Sequence, residues 1–160
     1  MAILPFIFIG WAGIAVATAA VITVAVSTLV PLLVLVAGFE AVFAFHVNVE
    51  RIGRYLQVFH EQSNADAPGW EHVAMGFGER FPGTGPDPLF GRLFVLATSV
   101  NFLPAVLGGE VPEILILASL HLLFVNRVRL ARAFAATQRA QDLDRFRSLR
   151  DVRDASGTAH

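Results

Sequence analysis

The chain has 160 residues, no cysteine and no lysine, a hydrophobic share of 55% and a net charge of −1. These values exclude disulfides, thiolate metal ligands and thiol nucleophiles, and they argue against general nucleic-acid binding. Soluble domains average about 45–50% apolar even with glycine counted, and here the excess is gathered into long blocks, the pattern of membrane-spanning segments.

The first block runs from Ala2 to about Val26 without a charge. ATAA at 17–20 resembles a small-residue cleavage site, but Met1–Pro5 carries no basic residue, so a retained helix is expected rather than a signal peptide. Gly13 with Ala17 and Ala15 with Ala19 give small-residue spacing suited to close helix packing. The second block runs from Pro31 to about Val49, with Ser27 and Thr28 ahead of the proline as an expected helix start. It is interrupted by Glu40 and His46. Ile52, Tyr55, Leu56 and Phe59 then predict an amphipathic, interfacial continuation.

Residues 63–88 are rich in Gly and Pro, and helical periodicity is confined to Trp70–Met75. A loop of this length is functional or disordered, and Trp70, Phe77 and Phe81 suit it to headgroups or a partner. The third block runs from about Leu89 to Leu107, Gly108-Gly109-Glu110 makes a tight turn, and the fourth block starts at Pro112 and ends near Val125. No Gly or Pro occurs from Glu113 to Ala155, which predicts an unbroken helix running into a polar tail. Asp142–Arg145, Asp144–Arg147, Arg147–Asp151 and Arg150–Asp154 are spaced as helix-surface ion pairs, and Leu143, Phe146 and Leu149 form a short apolar stripe for a partner. The last residues, ASGTAH, are expected to fray.

All twelve arginines lie after the second block, at the start of the third or after the fourth, and the turns at 27–30 and 108–111 have none. The positive-inside rule then places both termini and residues 50–88 in the cytoplasm. The expected fold is an all-α integral membrane protein with four transmembrane helices and a cytoplasmic C-terminal helical extension. Its parts are a hairpin at 1–49, an interfacial helix and loop at 50–88, a second hairpin at 89–126 and a cytoplasmic tail at 127–160.

Glu40, Phe43, Val47, Glu50, Arg54 and Glu61 share one narrow helical arc. Glu40 is nine residues from Pro31 and eleven from Arg51, which predicts a mid-bilayer position. A carboxylate there is expensive and is by default functional. The bland alternative is a neutral Glu40 hydrogen-bonded to Thr98, Ser99, Asn101 or Ser119.

His46 lies five residues before Arg51, and His121 lies six before Arg127. Counted from those arginines, the two imidazoles are expected at equal depth, as a bis-His haem or a shared transition metal requires. Glu50 would then add an oxygen ligand, and Arg51, Arg54, Arg127 and Arg129 would hold propionates. His60, Glu61, Glu71 and His72 form a weaker metal-ligand set without the spacing of a known motif.

No catalytic set emerges from these residues, so the expected role is a structural or accessory subunit of a membrane complex in the plasma (inner) membrane. Its partners would be the bilayer and either other proteins or further copies of the chain, met through the transmembrane helices and residues 130–154. The alternatives are a haem- or metal-binding redox protein using His46 and His121, and a small oligomeric proton- or ion-coupled transporter using Glu40.

Overall fold

The structure, a computed structural model, describes residues 3–21, 23–61, 69–81, 87 and 89–157. Helix α1 covers Ile3–Val21 and α2 covers Val24–Leu56, which passes into a π-helical turn at Gln57–Glu61. Helix α3 covers Trp70–Arg80, α4 Gly91–Gly108 and α5 Val111–Gly157. All regular structure among the described residues is helical. Three helical stretches, Val26–Glu61, Gly91–Gly108 and Val111–Ser156, are long and apolar enough to cross a membrane; the apolar stretch of α1, Leu4–Ala17, is shorter than these.

Several boundaries differ from those read off the sequence. Helix α2 begins at Val24, and Pro31 lies inside it. The Ser27 and Thr28 hydroxyls do not cap a helix start; they donate back to the Val24 carbonyl at 2.9 and 3.0 Å. That bonding occupies them within a helix already formed. Pro31 is the eighth residue of α2, so it leaves the helix without the backbone bond to the Ser27 carbonyl. The loop between the hairpins holds an 11-residue helix, α3, while its flanks at 63–68 and 82–86 lie outside the described residues, as do the tail residues 158–160. The side chain of Ala19, in one of the small-residue pairs, lies outside them too. Helix α5 runs for 47 residues, as the absence of Gly and Pro predicts.

The chain divides into two compact units. The first joins residues 1–43 to 89–132, so the two expected hairpins share one core. The core includes Leu32, Leu35 and Phe39 of α2, Phe94 and Ala97 of α4, and Phe124 and Val128 of α5. Helix α1 packs on it through Leu4, Ile7, Phe8 and Trp11, one face at helical spacing. Phe94 is central: its ring lies 5.2 Å from Phe8, 5.2 Å from Phe39 and 6.5 Å from Phe124. A Cβ on Gly38 would come within 2.5 Å of Ile7 Cγ2, so glycine there sets how closely α1 lies on α2.

The second unit joins residues 44–88 to 133–160. Here the end of α2 and the end of α5 are linked by polar contacts. Arg51 Nε donates to Asp142 Oδ2 at 2.9 Å, and Asp142 also holds Arg145 at 3.3 Å. Arg147 reaches Asp144 at 4.0 Å. Phe146 does not await a partner: its ring meets Tyr55 at 5.8 Å and Phe59 at 6.3 Å. Leu149 stays exposed.

Candidate functional site

Glu40 is answered by an arginine. Arg127 Nη2 donates to Glu40 Oε2 at 2.8 Å. The guanidinium also lies 4.5 Å from the Phe43 ring and 5.6 Å from the Phe39 ring. None of the four expected neutral partners takes this role. Thr98 and Ser99 donate to carbonyls of their own helix, as does Ser119, and Asn101 is engaged elsewhere. The carboxylate is therefore paired with a cation, which spares it the cost of standing alone. Phe39, next to Glu40, packs on Phe94, which lies only one turn into α4. Glu40 thus stands near one end of the four-helix unit rather than at its middle.

The shared histidine site expected from the sequence rests on the same arginine. Counting depth from Arg51 and Arg127 treats both arginines as markers of one boundary, whereas Arg127 is the counter-ion of Glu40. His121 is buried in the first unit, and both its ring nitrogens are committed. Nδ1 is 2.7 Å from the Leu117 carbonyl, which makes it the donor, and Nε2 is 3.1 Å from Asn101 Nδ2, which makes it an acceptor. The same Asn101 amide donates to the Thr28 carbonyl at 2.8 Å. His46 lies about five turns beyond Thr28 along α2, in the second unit. Asn101 and His121 form a neutral polar clamp joining α2, α4 and α5, a role for which the sequence gives only one hint, an Asn inside an apolar block.

The second unit holds the densest cluster of charge. Arg54, with 4% of its side chain exposed, donates through Nη2 to Glu71 Oε2 at 2.9 Å and through Nη1 to Gln57 Oε1 at 3.0 Å. Nη1 also contacts Met75 Sδ. Gly53 makes room for this: a Cβ there would lie 2.7 Å from the Glu71 carboxylate. Arg139 Nε approaches Glu50 Oε2 to 2.7 Å. Neither atom has an aligned hydrogen bond, so this contact is an ion pair without the directional bond. Beside these residues is a cavity of about 520 Å³. Glu71, Ala74, Met75 and Gly78 line it from α3, Glu50 and Arg54 from α2, and Arg139 from α5.

Of the weaker ligand set, Glu61 and His72 meet, but as a helix cap. Gly69 precedes α3 and has no capping side chain. Glu61 supplies the missing acceptor: Oε1 takes the Glu71 N–H at 2.7 Å, and Oε2 takes the His72 N–H at 3.1 Å and lies 2.8 Å from His72 Nδ1. Glu71 turns to Arg54, and His60 lies against the Tyr55 ring at 5.6 Å. Among the described residues, no three potential ligands gather as a metal would need. Loss of a capping acceptor loosens the first turn of a helix. Glu61→Ala is therefore expected to speed backbone hydrogen exchange across α3 while leaving α4 unchanged; equal protection of α3 in both proteins would remove the capping role.

Most of these partners are tens of residues apart, so spacing in the sequence does not reveal them. The signal available was composition: Arg54 and Glu71 each interrupt an amphipathic segment. Comparison with protein-family models, curated proteins and solved structures finds no match.

Proposed function

We infer that this chain is an accessory subunit of a membrane complex, with four helices in the plasma (inner) membrane and a helical extension that docks a partner. One observation carries the reading. Phe45, Val49, Ile52 and Leu56 form a stripe along α2, and all four are exposed. The spacing keeps them within about 60° of one face. An apolar face of this kind, rimmed by the polar contacts of Arg51 and Glu50, is what a helix-in-groove or helix-on-helix partner covers. The one-sided arginines support a cytoplasmic placement of both termini and of residues 44–88. The commitment of His121 to Asn101 and Leu117, and of Glu40 to Arg127, favours this role over redox or transport chemistry at those residues.

The test is site-specific photocrosslinking in native membranes, with the probe at Val49 or Ile52 and a control probe at Ser148 on the tail. A discrete crosslinked band from the stripe positions, absent from Ser148, is expected. Deleting residues 138–160 should weaken that band, since the tail holds Arg51 and the stripe's flank through Asp142. Crosslinks to lipid alone at both stripe positions would refute the docking role.

A further inference from the structure

The cavity of the second unit has a lining that selects a particular chemistry. Its volume, about 520 Å³, lies within the range of small-molecule sites, about 300–1,000 Å³. The charged groups around it are only half used. Glu50 and Glu71 each engage their arginine through Oε2, and Oε1 of each makes no hydrogen bond among the described residues. Arg139 touches Glu50 through Nε alone, and its two Nη groups make no hydrogen bond among the described residues. Its side chain is 39% exposed, so that edge is accessible. Arg54, by contrast, is buried and committed to Glu71 and Gln57, and it serves to hold Glu71 in place. The free valences are thus two carboxylate oxygens and one guanidinium edge.

One ammonium has three donors and can bridge two carboxylate oxygens, and a guanidinium edge accepts an oxyanion in a forked pair. A ligand with only one of these groups would leave the other wall without a partner. The lining from α3 is uncharged at Ala74, Met75 and Gly78, and a Cβ on Gly78 would meet nothing within 4 Å. We propose that this cavity binds a small zwitterion, its ammonium held between Glu50 and Glu71 and its oxyanion held by Arg139. Both a free α-amino acid and a phosphoethanolamine headgroup carry that pair of groups.

The experiment uses the full chain in detergent, with binding of four probes measured by calorimetry: L-serine, O-phosphoethanolamine, ethanolamine and inorganic phosphate. At least one zwitterion is expected to bind at least tenfold more tightly than ethanolamine or phosphate. Arg139→Gln should weaken the zwitterion at least tenfold without weakening ethanolamine, because it removes the oxyanion's partner and leaves Glu50 with more free charge. Gly78→Leu should abolish binding by filling the space. Ala74→Val serves the same purpose if Gly78→Leu does not fold, the melting curve deciding which is used. A preference for O-phosphoethanolamine, with phosphatidylethanolamine retained in native mass spectra, would assign the site to a lipid headgroup. A preference for L-serine would assign it to a free amino acid, and equal binding would leave the shared chemistry as the whole of the selectivity. Zwitterions that bind no better than the singly charged probes, or that bind the filled variant as they bind the parent, would overturn the proposal.

Discussion

Replacing Arg127 with Ala should destabilise the four-helix unit by about 2 kcal/mol, because it removes the cation beside Glu40 and two ring contacts at once. The pair is partly exposed, at 30% and 44% of the side chains, so the value belongs below that of a fully buried pair. Glu40→Gln should cost less, about 1 kcal/mol, since the amide oxygen can still accept from Arg127 Nη2 and the cation keeps its contacts with Phe39 and Phe43. The two changes should not add. Once Glu40 carries no charge, loss of the guanidinium no longer strands an anion, so Glu40→Gln with Arg127→Ala should be more stable than the sum of the single losses implies. Unfolding in detergent, followed for the single and double variants, measures this coupling. Strict additivity would show that the two side chains stand near each other without depending on each other.

A second large effect is expected at Arg54. Its guanidinium joins Glu71 of α3 to Gln57 of the π-helical turn while itself buried. Arg54→Met keeps most of the volume but leaves Glu71 without its cation and Gln57, also buried, without its donor. Breaking such a pair costs about 3–5 kcal/mol when one charge remains buried; Glu71 retains 19% exposure, so about 2–3 kcal/mol is the better figure. The loss falls on the anchoring of α3. Limited proteolysis should therefore cut between residues 62 and 81 much faster in Arg54→Met, while the α1–α2 and α4–α5 turns resist as before. Arg54→Met combined with Glu71→Met should recover part of the resistance. Parent-like proteolysis in Arg54→Met would mean that α3 is held by Glu61 and apolar contact instead.

Several features of this architecture are legible in the amino-acid order because they depend on local chemistry. The 47-residue α5 follows from a stretch free of Gly and Pro, and the turn before it follows from Gly108-Gly109-Glu110. Features that depend on pairing across the chain are not legible in this way. Arg127 reads as a boundary charge until it is seen against Glu40, 87 residues earlier. The expected equal depth of His46 and His121 rests on reading Arg127 that way. The start of α2 is hidden because Ser and Thr suit both a cap and a back-bonded position within a helix, and Pro31 suits a first turn or a tolerated site just inside one. The first part of α3, Trp70–Met75, shows in the sequence, but its continuation to Arg80 is hidden by Gly76 and Gly78, and its start by a cap that comes from outside the helix, at Glu61.

The length of α5 has a further bearing on how a partner would find this protein. From Arg127 to Gly157 the helix extends about 45 Å at 1.5 Å per residue. Residues 139–154 cover about 23 Å of it, nearly three Debye lengths of about 8 Å at physiological salt, so the charges at the two ends of that stretch are screened from each other. A molecule that meets this helix would sense its alternating arginines and aspartates locally, and its encounter rate should depend on salt through those side chains.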